Sequence, residues 1–264
     1  MQQMLQNIFH TCFCIYFWVQ KQNPMSVNQY DHGRSFPGSF PGKRQEYIPP
    51  AYPPEFPKFA IGIPTLNRWD LLRPVLWKYL SDFPNIDIFI LDNGNQRKEI
   101  ERPRIHYINK AKNIGVAASW NILSRTIYDK GNAFSLLLND DVYLGRNEYE
   151  IGNLLHFQKG FLYRAPVDWC AVIIPKQTYE KVGPFDEKFR AYYEDNDYEY
   201  RLKLAGMGFT RWDMLNPMLY RKSSSMEKNP EVLNWSLESK SYYVEKWGGE
   251  PGAEKFPLPF NGTK

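Results

Sequence analysis

Residues 134–141 read FSLLLNDD, an apolar run that ends in two adjacent carboxylates. A short apolar run bounded by a polar turn predicts a buried strand over Phe134 to Leu138. Asp140 and Asp141 then stand where that strand emerges, and neighbouring carboxylates repel each other unless a cation or hydrogen-bond donors compensate. A hard divalent ion such as Mg²⁺ or Mn²⁺ prefers oxygen ligands of this kind. The motif alone fits a metal site and a loop that caps the next turn equally well.

The segments before this motif alternate between strand and helix patterns. Apolar residues spaced three and four apart predict a helix that begins near Trp69 and stops before Pro84, and a second helix from Val116 to Tyr128. Short apolar runs predict further strands at Phe59 to Ile63, Ile86 to Leu91 and Ile105 to Ile108. The alternation predicts a single α/β domain with a mostly parallel sheet flanked by helices.

Polar loops follow three of the predicted strands. They are Pro64 to Arg68, Asp92 to Asn95 and Asn139 to Asp141. Ligands of open α/β sheets bind beyond the carboxyl ends of the strands. We therefore expect the three loops to converge on one rim of the sheet.

A second acidic cluster lies at residues 193–197, which read YEDND. Asp195 stands three residues before Tyr198, so it heads the inward stripe of a predicted helix and could face a cleft. Glu194 has a simpler interpretation, because acidic residues favour helix N-termini. Asp197 and Arg201 are four residues apart and are predicted to form a surface ion pair.

Together these segments resemble the large inverting glycosyltransferase family with the GT-A (Rossmann-like) fold, often called family 2. The resemblance runs from about Phe59 to Gly249. Its motifs occur in the family's order: Pro64-Thr65-Leu66-Asn67-Arg68, Asp92-Asn93-Gly94, Asn109 with Asn113-Ile114-Gly115-Val116-Ala117, Asn139-Asp140-Asp141 at the D-x-D position, Val182-Gly183-Pro184-Phe185-Asp186-Glu187, and Tyr193-Glu194-Asp195-Asn196-Asp197. Each motif is weak alone, and the ordered set is specific.

The resemblance implies a role for each matching position. Asp195 is implied as the general base, with Glu194 next in line, and Asp141 as the metal ligand, with Asp140 beside it. The implied cofactor is Mn²⁺ or Mg²⁺, and the implied donor is a nucleoside-diphosphate sugar, most commonly a UDP-sugar. The positions implied in donor binding are Pro64, Thr65, Asn67, Arg68, Asp92, Asn93, Asn113, Gly115, Asn139 and Asp140.

Two departures from the family pattern bear on the metal. The first D-x-D position is Asn139, which is at best a neutral ligand. Many relatives carry a later His that completes the metal shell, whereas residues 220–225 read YRKSSS. Arg221 or Lys222 is the predicted substitute for neutralising the diphosphate.

The expected activity is metal-assisted transfer of a sugar to a hydroxyl of a glycan or other acceptor, with inversion. Trp169, Tyr192 and Tyr193 are candidates for stacking on acceptor sugars, although core packing explains each equally well. A sugar nucleotidyltransferase is less favoured, because residues 64–70 contain no Gly for a triphosphate loop. A non-catalytic nucleotide-sugar or glycan binding module stays open, since it could dispense with Asp195.

Composition is typical of a globular protein and excludes several classes. The 264 residues are 43% hydrophobic and 23% charged, with a formal net charge of +4 that is too balanced to indicate a nucleic-acid groove. The cysteines, Cys12, Cys14 and Cys170, are odd in number and give neither a disulfide framework nor a zinc site. We expect a cytoplasmic protein.

Residues 1–57 are predicted to be a tail. Ile8 to Val19 is an apolar run too short to span a bilayer. It is interpreted as a short packing helix or as sequence translated ahead of Met25, in preference to a weak membrane-surface anchor. Residues 28–57 are rich in Pro, Gly and Ser and should be extended. The catalytic core is then predicted at 58–225, with a C-terminal helix, Glu231 to Trp247, and tail packing on it over 226–264.

Overall fold

The chain builds one seven-stranded mixed sheet with helices on both faces. The structure, a computed structural model, describes residues 56–95, 100–157, 162–165, 169–212 and 231–263. The strands are β1 Phe59–Thr65, β2 Ile88–Asp92, β3 Ile105–Asn109, β4 Phe134–Leu138, β5 Leu162–Arg164, β6 Ala171–Pro175 and β7 Phe209–Arg211. The helices are α1 Trp69–Asp82, α2 Val116–Asp129, α3 Glu148–Phe157, α4 Lys176–Val182, α5 Glu194–Leu204 and α6 Glu231–Trp247.

The strand order is β3-β2-β1-β4-β6-β5-β7. Strands β1 to β4 pair in parallel, and β6 is antiparallel to both of its neighbours, β4 and β5. The outer strand β7 pairs in parallel with β5. The predicted α/β fold with a mostly parallel sheet is confirmed.

The central strands are buried on both faces, which explains why their sequences are continuously apolar instead of alternating. In β4, Leu136 and Leu138 pack into the core beneath α1 and α3, whereas Leu137 packs into the core beneath α2 and α5. The strand ends at Leu138, and the polar residues Asn139 to Asp141 follow it.

The C-terminal helix α6 packs on α5 and on the loop that precedes α5. Tyr243 and Trp247 of α6 form a third apolar cluster with Phe189 and Tyr200, so they contact α5 and the loop before it instead of a face of the sheet. The first turns of α6 carry Val232 and Trp235. Both side chains line the candidate site described below.

Several predictions from the sequence lie outside the described residues. They are the extended tail and apolar run before residue 56, Cys12 and Cys14, and Arg221 and Lys222. Cys170 is a buried free cysteine. Among the helices of the described ranges, none combines the length and the apolar character needed to cross a bilayer.

Candidate active site

A cavity of about 310 Å³ lies where β1, β2 and β4 end and α5 begins. Both acidic clusters reach it: Asp140 and Asp141 from the end of β4, and Glu194 and Asp195 from the start of α5. The other sequence-predicted residues that line it are Pro64, Thr65, Asn93, Asn113, Gly115 and Asn139. The two carboxylate pairs therefore share one cavity, as the resemblance requires.

Asp140 is fixed by a contact between the ends of β1 and β4. The Thr65 hydroxyl donates a hydrogen bond of 2.8 Å to Asp140 Oδ2, and both residues are buried. Burial, and after it the negative charge of Asp141, raise the pKa of the Asp140 carboxyl to about 7, against the opposing effects of Thr65 and Arg68. A bound cation would favour the charged form of the Asp140 carboxyl.

The residues at the end of β4 fit a divalent ion that is shared with a substrate. Asp140 and Asp141 are both buried in the cavity wall, with Asn139 beside them. The described ranges contain no group of three or more His, Cys, Asp or Glu residues able to hold an ion without a substrate. Mg²⁺-type ions are commonly held by one or two carboxylates together with substrate phosphates, so two carboxylates suffice for that arrangement.

The turn after β2 packs against the loop after β1, next to the cavity. Asp92 is buried, and its Oδ1 accepts a hydrogen bond of 2.9 Å from the backbone N–H of Gly94. A Cβ on Gly94 would lie 2.3 Å from Asn67 Oδ1, so only glycine lets the loops after β1 and β2 approach this closely. Asn67, Arg68 and Asp92 are not among the residues that line the cavity. The resemblance implies a donor-binding role for them, which stays a prediction.

Asn93 and Asn113 organise the entry into α2. Asn93 donates from Nδ2 to Ser119 Oγ at 2.9 Å and accepts from the Ile114 N–H at 3.3 Å. Asn113 Oδ1 accepts from the N–H of Gly115 at 3.0 Å. Both residues line the cavity, and these hydrogen bonds of their side chains hold the turn in place.

Gly115 joins the two sides of the cavity. Its φ of +84° and ψ of 171° belong to a region open essentially to glycine. A Cβ at this position would lie 2.6 Å from the carbonyl oxygen of Arg190. That same oxygen accepts a hydrogen bond of 2.9 Å from the N–H of Val116. The start of α2 is therefore bonded directly to the loop that leads into α5.

The acidic pair on α5 follows two aromatic residues in a strained conformation. Tyr192 and Tyr193 have φ values of +63° and +68°, which is unusual for bulky side chains. Glu194 is buried, and its Oε2 has no hydrogen-bond partner among the described residues. Burial, and then the charge of Asp195, raise the pKa of the Glu194 carboxyl to about 8. Asp195 is half-buried and accepts a hydrogen bond of 2.8 Å from the Asn196 N–H.

The predicted surface ion pair between Asp197 and Arg201 is wrong, because Asp197 is fully buried. Its carboxylate accepts hydrogen bonds from Arg201 Nε at 2.8 Å and Trp247 Nε1 at 2.9 Å, and pairs with Lys246 Nζ at 2.7 Å. Lys246 also pairs with Asp186 at 2.7 Å. The i, i+4 spacing that indicated a solvent-exposed pair belongs to a buried charge cluster that joins α5 to α6.

The three aromatic candidates have different surroundings. Trp169 is buried against Trp120, and its Nε1 donates to Glu199 at 2.6 Å, so it is mainly a packing residue at the cavity wall. Tyr193 packs on Tyr243. Tyr192 is 46% exposed and lines the cavity. Of the three, Tyr192 is the one placed to meet a ligand.

Sequence reasoning missed several residues of the wall, among them Trp120, Arg190, Val232 and Trp235. Trp120 lies within a helix whose apolar positions were assigned to the core. Arg190 belongs to no motif. Its neighbour in space, Trp235, is 45 residues away in the chain, and a single sequence carries no signal that pairs them.

Comparison with known proteins gives a likeness of fold. No family model matches the chain, and no curated protein matches it in sequence. A similar solved structure is the mannosyltransferase PcManGT from Pyrobaculum calidifontis in complex with GDP-Man and Mn²⁺, at a TM-score of 0.51 and 10% identity, covering 94% of this chain and 76% of that one. A protein provisionally named a nucleotide-diphospho-sugar transferase, from Desulfovibrio desulfuricans G20, gives a TM-score of 0.42 and 12% identity, covering 67% and 97%. The first likeness shows a glycosyltransferase-like fold.

Proposed function

We propose that this protein is a glycosyltransferase that moves a sugar from a nucleoside-diphosphate donor to an acceptor hydroxyl, with inversion and with a divalent cation. The observation that carries the proposal is the single cavity lined by Asp140 and Asp141 on one side and by Glu194 and Asp195 on the other. The likeness of the fold to a mannosyltransferase supports it. Family membership, by contrast, rests on the resemblance of motifs alone.

The donor side is assigned to the strand ends. Asp141 and Asp140 would hold Mn²⁺ or Mg²⁺ against the diphosphate, with Asn139 alongside. When bound, the ion stabilises the negative charge that gathers on the leaving diphosphate. Asn93, Asn113 and Gly115 line the same cavity and are assigned to the nucleoside. UDP-sugars are the commonest donors of the family that the motifs resemble, and the similar mannosyltransferase binds GDP-Man, so both bases need testing.

The acceptor side is assigned to the start of α5. Asp195 takes the proton of the acceptor hydroxyl as its oxygen attacks the anomeric carbon, and the bond from that carbon to the diphosphate oxygen breaks. Because the raised pKa of Glu194 keeps it largely protonated near neutrality, Glu194 is the poorer base of the two. A neutral Glu194 also removes a repulsive charge next to Asp195. Attack from the face opposite the diphosphate inverts the anomeric centre.

Donor binding provides the first test of this proposal. A panel of UDP- and GDP-sugars with Mn²⁺ should raise the melting temperature of the wild-type protein, since a ligand that binds the native state stabilises it. Asp141→Asn should lose most of the metal-dependent part of that shift, because one cation ligand becomes neutral. Asp129→Asn, at an exposed position at the end of α2, is the matched control and should keep it.

Three outcomes would contradict the proposal or part of it. An unchanged shift in Asp141→Asn would remove this residue from the metal site. Donor binding with no metal-dependent hydrolysis and no transfer to any acceptor would favour a non-catalytic binding module. Release of pyrophosphate from a nucleoside triphosphate and a sugar phosphate would instead identify a nucleotidyltransferase.

A further inference from the structure

The cavity wall formed by the loop before α5 and by α6 differs from the donor side in the types of side chain that it presents. Arg190, Tyr192 and Trp235 line it, and we call these three residues the α6 rim. The strand-end side offers carboxylates, amides and a hydroxyl, whereas the α6 rim offers two aromatic side chains and a guanidinium. Aromatic faces pack well on the apolar faces of sugar rings, and arginine recognises carboxylate and phosphate groups.

Arg190 is the single cationic side chain that lines the cavity within the described ranges. Its guanidinium carbon lies 5.3 Å from the centroid of the Trp235 ring. It is exposed and forms no ion pair with another described residue. The guanidinium is therefore within cation–π distance of the indole ring, and its N–H groups are suited to pair with an anion.

Tyr192 is presented to the cavity by a strained backbone. Both Tyr192 and Tyr193 adopt positive φ, a conformation that bulky residues avoid unless the surrounding structure holds them there. The two side chains diverge as a result: Tyr193 packs on Tyr243, and Tyr192 stays 46% exposed at the cavity. Strain of this kind clusters at ligand sites, where it fixes the direction of a side chain in advance.

We propose that the α6 rim is the acceptor subsite and that its ligand is a pyranose ring that carries an anionic group, either a carboxylate or a phosphate. Tyr192 and Trp235 contact the ring, and Arg190 pairs with the anion. The inference rests on the proposed function, which places the acceptor next to Asp195. Trp235 belongs to α6, and Arg190 and Tyr192 belong to the loop before α5, whereas the carboxylates assigned to the cation follow β4.

The test compares matched acceptors. With the nucleotide sugar that stabilises the protein most and Mn²⁺, kcat/KM is measured for a β-glucoside, for the β-glucuronide of the same aglycone, and for the 6-phosphate of the same glucoside. The ratio of anionic to neutral acceptor cancels any change on the donor side. Wild-type protein should favour one of the anionic acceptors by about tenfold or more, the scale of one charge-assisted hydrogen bond. Which of the two is preferred identifies the anion.

Arg190→Gln should bring that ratio close to one, and Arg125→Gln, an exposed arginine outside the cavity, should leave it unchanged. Tyr192→Asn should weaken all three acceptors alike, because Asn tolerates positive φ and removes only the ring. Its melting temperature should stay the same or rise, which separates loss of the ring from misfolding. Saturation-transfer NMR of the methyl glycosides provides the same comparison without turnover.

The inference and the proposed function fail in different ways. Wild-type protein that hydrolyses a nucleotide sugar with metal but shows no preference for anionic acceptors would overturn the inference alone. A preference that survives in Arg190→Gln would do the same, because another group would then bind the anion. Wild-type protein with no metal-dependent hydrolysis, transfer or donor binding would overturn the proposed function.

Discussion

The two sides of the cavity are held in place by different forces. On the strand-end side, backbone pairing sets the positions: Thr65 is the register partner of Asp92, and Asp92 is the partner of Asn109, so successive parallel strands end at one level. On the helix side, side chains set the positions through the buried cluster of Asp186, Asp197 and Lys246. The first arrangement rests on the backbone hydrogen bonds of the sheet. The second depends on contacts between residues about 50 to 60 positions apart.

This difference predicts that substitutions on the two sides of the cavity have different structural effects. A substitution at a strand end should change the group it removes and little else, because the ladder of backbone hydrogen bonds stays intact. A substitution in the buried cluster should loosen α6, and with it Val232 and Trp235 at the cavity. The three predictions below probe the helix side of this contrast.

Asp195→Asn should lower kcat by about 10² to 10⁴, the usual contribution of a general base. Donor affinity should change little, because the carboxylate is assigned to the acceptor hydroxyl. Initial rates of transfer and calorimetric titration of the donor measure the two quantities separately. Asp129→Asn again serves as the control. Turnover near the wild-type value would remove Asp195 from this role and make Glu194 the next candidate.

Lys246→Met should destabilise the fold by about 3 kcal/mol, because it leaves buried carboxylates short of a cation. Urea unfolding measures the loss. Lys240→Met is the matched control, since Lys240 pairs with Glu250 on the surface, where both side chains are about half exposed or more. Surface pairs of this type contribute under about 1 kcal/mol. Equal losses in the two variants would mean that the buried cluster does not hold α6.

The same contrast explains what the sequence could and could not predict. Strand ends are local features, so FSLLLNDD was enough to place Asp140 and Asp141 at the rim, and the structure confirms the strand at Phe134–Leu138. The three-residue strands β5 and β7 are too short to show a period, and no prediction covered them. The sequence also could not indicate that Asp197 is buried, for a different reason. An i, i+4 pair has the same spacing whether water or Trp247 covers it.

Glu194, on the helix side of the cavity, is a buried acid whose ionisation should make folding stability depend on pH. The pKa of Glu194 is raised from its ordinary value of 4.5 to about 8, so between these values the unfolded chain has released the proton that the folded protein keeps. Folding stability should therefore fall as pH rises through this window, by about 1.4 kcal/mol per pH unit for one proton.

Glu194→Gln does not ionise and should lack this decline, so its stability relative to wild type should grow with pH and level off above about pH 8. Urea unfolding at about pH 5, 6.5 and 8, without divalent metal, measures the difference between the two proteins. Asp140 titrates in the same range in both, so its contribution cancels from the difference. Parallel stability curves would mean that Glu194 is solvated enough to ionise normally, and the argument that leaves Asp195 as the better base would lose its support.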